Sequence, residues 1–238
     1  MAAYKTLKGQ SIRQVAQDPT NPVLGEIWYN TTIGVLKGRV FITAAWASGG
    51  NLNVAKHASG GAGIQTASLV FGGEHATAVV NETESYNGTS WTELNNLNTA
   101  RHSLSGFGTQ TAAIAAAGRT TPSPANYVDV VESWNGTSWT ESTEINTARK
   151  NQHGCAGSSG SDALVYGGDI QPGVTANTEL WNGSSWTELN NMATARSGIG
   201  GAGSSSTAFA ARGTRPSATN ATEEWTVPAT VTNTTITD

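Results

Sequence analysis

The sequence predicts an all-β fold in which four repeated units form the blades of a β-propeller. One observation is that the sequence copies itself, as in SYNGTSWTELNNLNTAR (85–101) and SWNGTSWTESTEINTAR (133–149). Another is that no stretch of ten residues has the 3.6-residue apolar period of a helix, which excludes a helical repeat. A third is the recurrence of tryptophan at intervals of 45 to 48 residues. These tryptophans are Trp46, Trp91, Trp139 and Trp186.

One period of the repeat contains the signals of four short strands. TAAIAAAG (111–118) is an apolar run closed by glycine, and YVDVVESW (127–134) alternates polar and apolar residues as a strand does. Asn135-Gly136 is a strong two-residue hairpin signal, and it leads into TSWTEST (137–143). Four strands joined by tight turns are typical of a propeller blade.

The two ends of the repeat region have complementary defects. The last copy reaches Glu223 and Trp225 without a following hairpin, and the first copy begins with VFITAAW without an acid-aromatic strand before it. We therefore expect residues 40–47 to supply the outermost strand of the blade formed by residues 197–227, which removes an exposed edge. Alternatively, the unpaired edges meet another subunit and the ring closes across chains.

Residues 1–39 lie outside the repeat and are expected to form an N-terminal attachment or oligomerisation arm. EIWYN and VLKGRV predict a β-hairpin around residues 32–34. The side chains expected to make the attachment are Trp28, Tyr29 and Leu36. Residues 40–228 form the propeller in this division. Residues 229–238 form a C-terminal tail, which we expect to be a frayed end; the alternative is a strand donated to a neighbour.

Composition excludes several classes of protein. The net charge of −4 argues against nucleic-acid binding, and no stretch approaches the roughly 20 apolar residues of a membrane-spanning helix. Met1 to Gly9 contain no apolar segment, so we expect no secretory leader. The single cysteine, Cys155, excludes an internal disulfide framework.

No motif for catalysis appears, so we expect neither an enzyme nor a cofactor. The chain contains no Gly-x-Ser-x-Gly, His-Glu-x-x-His or phosphate-loop pattern. His57 and His102 follow a basic residue at equivalent positions and His153 lies close to the next one, but Ser197 occupies the fourth position. We therefore expect structural histidines and no metal site.

One acidic and one basic residue recur in every copy and predict structural inter-strand ion pairs. Arginine geometry suits a buried bidentate pair with a carboxylate. In chain order the expected pairs are Glu84 with Arg101, Glu132 with Arg149, Glu179 with Arg196, and Glu223 with Lys56. The alternative is a charged ring that contacts a ligand.

The loops between the second and third strands differ from copy to copy. Equivalent loops of a repeat project from one face, and variable loops on a rigid scaffold usually carry recognition. The alternative is that they are plain solvated connectors. The loop side chains best suited to a polar, glycan-like surface are Arg119, Tyr127, Asp169, Gln171 and Arg215.

The glycine doublets resemble the kelch motif. Gly72-Gly73 and Gly167-Gly168 are each followed by an aromatic residue and then by a tryptophan five residues later. The second and fourth copies depart from the motif, with Ala117-Gly118 and Arg212-Gly213. This resemblance covers roughly residues 41–227 and implies a kelch-like propeller, for which the number of copies predicts four blades.

The arm resembles a short module near the N-terminus of virion proteins of tailed phages, notably marine and cyanobacterial ones. The pattern is NP-x-x-G-x-x-WYN-x-x-x-G-x-LK, from Asn21 to Gly38. The resemblance implies a virion protein of tail-fibre or spike type. Its expected partners are other virion proteins, a host-surface glycan or protein, and further copies of itself, with a trimer favoured. The alternatives are a capsid or neck decoration protein, a non-viral carbohydrate-binding or scaffold propeller, and a hairpin that only caps the propeller.

Overall fold

The computed structural model describes residues 12–39, 44–76, 78–120, 126–150, 154–215 and 217–227. Every regular element among them is a β-strand, which confirms the all-β prediction. Within these ranges no helix occurs that is long and apolar enough to cross a membrane. The chain divides into two compact units, Met1–Ser48 and Gly49–Asp238. The sequence placed this boundary earlier, after residue 39.

The first unit contains one three-stranded sheet. Its strands are β1 (Arg13–Val15), β2 (Ile27–Asn30) and β3 (Val35–Gly38). Strands β2 and β3 form the expected antiparallel hairpin, with Asn30 opposite Val35, and β1 pairs with β2 in parallel. The hairpin turn uses Gly34 at a φ of +68°, a conformation that glycine adopts without steric cost.

The second unit contains one main sheet for each repeat. Sheet 1 consists of β4 (Gly60–Ile64), β5 (Ala67–His75), β6 (Ala78–Tyr86) and β7 (Trp91–Leu94). Sheet 2 consists of β8 (Ser105–Thr109), β9 (Ala112–Ala116), β10 (Val131–Trp134) and β11 (Trp139–Ser142). Both are antiparallel, with their strands in chain order.

Sheets 3 and 4 follow the same order, with small hairpins inserted before their third strands. Sheet 3 consists of β12 (Gly154–Ser159), β13 (Asp162–Tyr166), β16 (Thr178–Trp181) and β17 (Trp186–Leu189), and its inserted hairpin is β14 (Asp169–Ile170) with β15 (Gly173–Val174). Sheet 4 consists of β18 (Gly200–Gly203), β19 (Thr207–Ala211) and β22 (Thr222–Thr226), and its inserted hairpin is β20 (Thr214–Arg215) with β21 (Ser217–Ala218).

Asparagine and glycine build the turn between the third and fourth strands. In sheet 2, Asn135 Oδ1 accepts hydrogen bonds from the backbone N–H groups of Thr137 and Ser138, both at 2.9 Å. Gly136 adopts a φ of +94°. The turn places Trp134 opposite Trp139 across the two strands. Asn87 and Asn182 make the same contacts in sheets 1 and 3.

Among the described residues of the second unit, the apolar core consists of three clusters, each between two successive sheets. Between sheets 1 and 2, Leu69 and Phe71 pack against Ala113, Trp134 and Trp139. The rings of Phe71 and Trp139 meet edge to face with centroids 4.8 Å apart, a geometry that aromatic pairs favour. Equivalent clusters lie between sheets 2 and 3 and between sheets 3 and 4. Tryptophan therefore fills the space where neighbouring sheets diverge.

The first strands of the four sheets surround one cavity of about 280 Å³. Strand β8 packs against β4 and β12, and β12 packs against β18. At Gly106 in β8, a Cβ would lie 2.5 Å from the backbone N and O of Gly61, so this close approach requires glycine. The cavity is lined by Gly61, Ala62, Gly63, Gly106, Phe107, Gly108, Gly157, Ala202 and Gly203.

The expected closing strand at residues 40–47 requires a correction. Residues 40–43 lie outside the described residues, and residues 44–47 form no strand. The side chain of Trp46 is fully exposed, and sheet 4 contains only three strands among the described residues. The segment AAWASGG (44–50) is rich in alanine and glycine, which have low β propensity. The tail predicted at residues 229–238 also lies outside the described residues.

Candidate functional site

The variable loops leave each sheet beside the residue that follows the repeated basic residue. Backbone hydrogen bonds join these two positions in every repeat. Tyr127 adds a further bridge to Arg119. The bridged pairs are His57 with Glu74, His102 with Arg119, Lys150 with Asp169, and Ser197 with Thr214.

Side chains extend this arrangement between sheets 1 and 2. Arg119 Nε donates a 2.8 Å hydrogen bond to His102 Nε2. An arginine cannot accept, so His102 carries its proton on Nδ1, which lies 3.4 Å from Glu74 Oε2. His57 Nε2 lies 3.7 Å from the same oxygen. The carboxylate of Glu74 therefore faces two imidazoles.

A second group of contacts joins the loops of sheets 2 and 3. Lys150 Nζ lies 3.4 Å from Asp169 Oδ2 and 5.3 Å from the centre of the Tyr127 ring. A lysine in this position is attracted by both the carboxylate and the aromatic face. We call the residues joined by these two groups of contacts the loop surface. They are His57, Glu74, His102, Arg119, Tyr127, Lys150 and Asp169.

Three of the five loop residues chosen from the sequence belong to the loop surface, namely Arg119, Tyr127 and Asp169. Gln171 is exposed in the turn between β14 and β15. Arg215 lies in β20, and its side chain is outside the described part of the chain. The sequence did not identify Lys150 or Glu74 as members, although each directly flanks a repeated position.

The loop surface offers hydrogen-bond donors, acceptors and an aromatic ring within a short distance of one another. Donors and acceptors of this kind can form hydrogen bonds with polar groups of a bound molecule. Within the ranges that the structure describes, no group of three or more His, Cys, Asp or Glu side chains is placed to hold a metal ion.

The repeated acidic and basic residues form ion pairs inside the sheets. Arg101 Nη2 lies 3.2 Å from Glu132 Oε1, and both side chains are fully buried. Arg149 and Glu179 pair in the same way. Burial lowers the pKa of Arg101 to about 10, and the charges of Glu132 and Glu141 oppose this shift. Fully buried groups cannot contact a ligand on the surface, so these two pairs are internal to the sheets.

The acidic and basic residues form other pairs than those expected from their order along the chain. Glu84 pairs with Lys56 rather than with Arg101, at 3.2 Å, and Glu223 pairs with Arg196 rather than with Lys56, at 3.1 Å. Each basic residue lies just before the first strand of a sheet and reaches the third strand of that same sheet. The pairs therefore fix the loop that enters each sheet.

Sequence analysis missed an asparagine that belongs to the same arrangement. Asn98 donates to Glu132 Oε2 from its backbone N–H at 2.7 Å and from Nδ2 at 3.0 Å. Asn53 and Asn146 do the same in sheets 1 and 3. The available signal was their recurrence three residues before each basic residue. Ala193 occupies this position in the fourth repeat.

These hydrogen bonds determine the charge state of Glu84. Burial raises the pKa of Glu84, but hydrogen bonds from Asn53 and Lys56 outweigh burial and hold that pKa below its ordinary value. The carboxylate therefore stays ionised opposite the lysine.

The three candidate attachment residues of the first unit have different environments. Trp28 is buried, and its Nε1 donates a 3.0 Å hydrogen bond to Asp18 Oδ1. Tyr29 is half-buried and Leu36 is exposed. Trp28 is thus part of the interior of this unit rather than a contact surface. Leu36 is one of the large exposed apolar side chains of this unit, and the others are Ile12, Val23, Leu24, Ile27, Ile33, Val35 and Trp46.

No model of a known protein family matches the chain, and no curated protein matches it either.

Proposed function

We propose that the chain is a structural protein of a phage virion, of tail-fibre or spike type. In this proposal, the first unit attaches it to other virion proteins. The second unit is a four-bladed, kelch-like propeller that binds a host-surface glycan or protein without covalent chemistry. The observation that carries the proposal is the loop surface, in which side chains from variable loops of neighbouring repeats contact one another.

The propeller arrangement is supported by the packing of the four sheets. Each sheet begins with a strand beside the common cavity, and each successive pair of sheets shares an apolar cluster. In this arrangement the sheets are blades, and the loop surface lies at one end of them. Glycine, alanine and phenylalanine line the cavity where it is described, and they offer no acid or base for catalysis.

Attachment through the first unit is supported by its exposed apolar side chains. Val23, Leu24 and Ile33 are each more than half exposed. Exposed apolar groups concentrated in a small unit are typical of a surface that is covered by a partner. These three residues lie within the span from Asn21 to Gly38, at positions that the phage-like pattern leaves open.

Binding of the full chain to an array of bacterial surface polysaccharides tests the recognition role. We expect binding to a subset of acidic or polyhydroxylated glycans. The variants Tyr127→Ala and Asp169→Ala should bind these glycans at least tenfold more weakly. The matched control is Thr92→Ala in the exposed outer strand of sheet 1, which should bind as the unchanged chain does. Binding that survives both loop variants would contradict the assigned surface, and no binding to any glycan would favour a decoration role.

A further inference from the structure

Sheet 4 has a cleft where sheet 2 holds a tryptophan. In sheet 2, Trp139 is buried, its Nε1 donates a 2.9 Å hydrogen bond to Thr83 Oγ1, and its ring meets Phe71. The cleft beside sheet 4 has a volume of about 260 Å³, and Tyr166, Thr178 and Trp225 line it. It lies between sheets 3 and 4, as Trp139 lies between sheets 1 and 2.

Strand register shows that the cleft is the equivalent space. Tyr166 stands opposite Gly154 as Phe71 stands opposite Gly60. Thr178 stands opposite Leu189 as Thr83 stands opposite Leu94. The cleft therefore presents a hydroxyl and an aromatic ring in the positions that hold the indole of Trp139. An apolar cavity of about 150 Å³ accommodates benzene, so this volume is sufficient for an indole.

Trp46 is the tryptophan that the repeat assigns to this space. It precedes Lys56 by ten residues, as Trp139 precedes Arg149 and Trp186 precedes Arg196. The chain from Gly50 onward already follows the path of the other repeats. Gly50 O accepts a 3.0 Å hydrogen bond from Trp91 Nε1, and Asn53 binds Glu84. Yet the indole of Trp46 is fully exposed, and residues 44–50 form no strand.

Sheets 1 and 4, which stand at the two ends of the repeat, pack less closely against each other than successive sheets do. Strands β4 and β8, β8 and β12, and β12 and β18 pack in pairs, whereas among the described strands β18 and β4 do not pack in this way. Phe209 on sheet 4 and Ile64 on sheet 1 are exposed. The outer edge of β22 has no partner strand among the described residues. A single chain thus leaves both a strand-binding edge and its matching tryptophan unburied.

We propose that the segment around Trp46 of a second copy of this chain completes sheet 4. The segment pairs with β22 and inserts its indole between Tyr166, Thr178 and Trp225. In the register of sheet 3, where Trp181 faces Trp186, Trp46 faces Trp225 and Ala47 faces Glu224. Exchange of one strand between identical chains is a low-cost route to an oligomer. This proposal concerns assembly and does not depend on the virion role.

Disulfide trapping in the full chain tests the proposal. All variants carry Cys155→Ser, so that introduced cysteines react only with each other. Chains with Ala47→Cys are refolded together with chains with Glu224→Cys and are then oxidised. Directly opposed residues of antiparallel strands lie within disulfide range. We expect a covalent mixed dimer, and no such dimer when Ser217→Cys replaces Glu224→Cys.

The double variant in one chain distinguishes the source of the strand. A disulfide within a monomer, together with no mixed dimer from the single variants, would overturn the proposal in favour of closure within one chain. Absence of any disulfide would overturn it as well. A second measurement uses Trp46→Ala, whose indole is exposed, so that folding is preserved. We expect the dissociation constant of the oligomer of this variant, obtained from its mass at different concentrations, to rise at least tenfold. Glycan binding through the loop surface should remain.

Discussion

Glu132, one of the carboxylates of the repeated pairs, accepts four hydrogen bonds. The donors are the backbone N–H and Nδ2 of Asn98, the backbone N–H of Thr99, and Arg101. Removing one partner of a buried ion pair leaves the other charge uncompensated. Glu132→Gln should therefore lower the free energy of unfolding by about 3–5 kcal/mol.

Chemical denaturation measures this loss, and Glu141→Gln is the matched control. Glu141 faces Glu132 across the two strands but is exposed, so the control should change stability by less than about 1 kcal/mol. Equal effects of the two substitutions would mean that the buried pair contributes no more than a surface charge.

Ala193 is the one departure from the asparagine that supports each carboxylate. Glu223 receives a hydrogen bond from the backbone N–H of Ala193 alone at this position, whereas Glu132 also receives Asn98 Nδ2. Ala193→Asn should add that bond and raise the free energy of unfolding by about 1 kcal/mol. Ala193→Gln, whose amide is displaced by one methylene, should not. A destabilised Ala193→Asn variant would show that the fourth repeat does not share the geometry of the others.

Asp18 makes the first unit sensitive to acid. Hydrogen bonds from Asn30, Lys37 and Trp28 hold the pKa of Asp18 well below its ordinary value of 3.8. A carboxyl whose folded pKa is depressed stabilises the fold above its unfolded pKa, and that contribution is lost as the pH falls through the folded value. We therefore expect the indole N–H resonance of Trp28 to keep its position through pH 3.8 and to shift only well below that pH. Asp18→Asn should abolish this shift, and Asp162→Asn should leave it unchanged.

At the scale of the strands, the close approach of β4 and β8 depends on a single glycine. A Cβ at Gly106 would lie 2.5 Å from two backbone atoms of Gly61, which no side-chain movement relieves. Gly106→Ala should therefore lower the free energy of unfolding by about 1–3 kcal/mol, as overpacking does. At Gly61 itself a Cβ would meet only Leu69 O at 3.5 Å, an ordinary contact. Denaturation of Gly61→Ala should thus match the unchanged chain, and a similar loss in both variants would contradict the steric argument.

The elements that sequence predicted best are those fixed by local chemistry. Asn135-Gly136 predicted its hairpin because the asparagine side chain and a positive φ at glycine are sufficient to form the turn. The prediction of a strand at residues 40–47 is wrong for residues 44–47, the part that the structure describes. Such a strand depends on pairing with a distant edge rather than on its own side chains. The predicted partners of the ion pairs are wrong for a related reason. Chain order gives the spacing of Glu84 and Arg101 but not which sheet the arginine enters.

The candidate site was predictable only in part. Arg119, Tyr127 and Asp169 were found because they lie in loops that vary between copies. Glu74 and Lys150 were not, since their role arises from backbone bridges between the ends of separate segments. The bridged positions recur in every repeat, but the side chains at them differ from copy to copy, so no repeated residue type marks them in the sequence.

At the scale of the whole molecule, the three apolar clusters lie entirely within the second unit. Burial of these side chains is the main source of stability, so the second unit should fold without the first. Chains that begin at residue 40 and at residue 49 should both retain a cooperative unfolding transition. They differ in whether they contain Trp46.

The two shortened chains therefore separate folding from assembly. If a second copy completes sheet 4, the chain from residue 40 should stay oligomeric, because it keeps Trp46 and the edge of β22. The chain from residue 49 keeps the edge but loses the strand, so light scattering should give the mass of a monomer. A monomer in both cases would assign assembly to residues 1–39. An oligomer in both would show that copies associate through surfaces of the second unit other than the cleft.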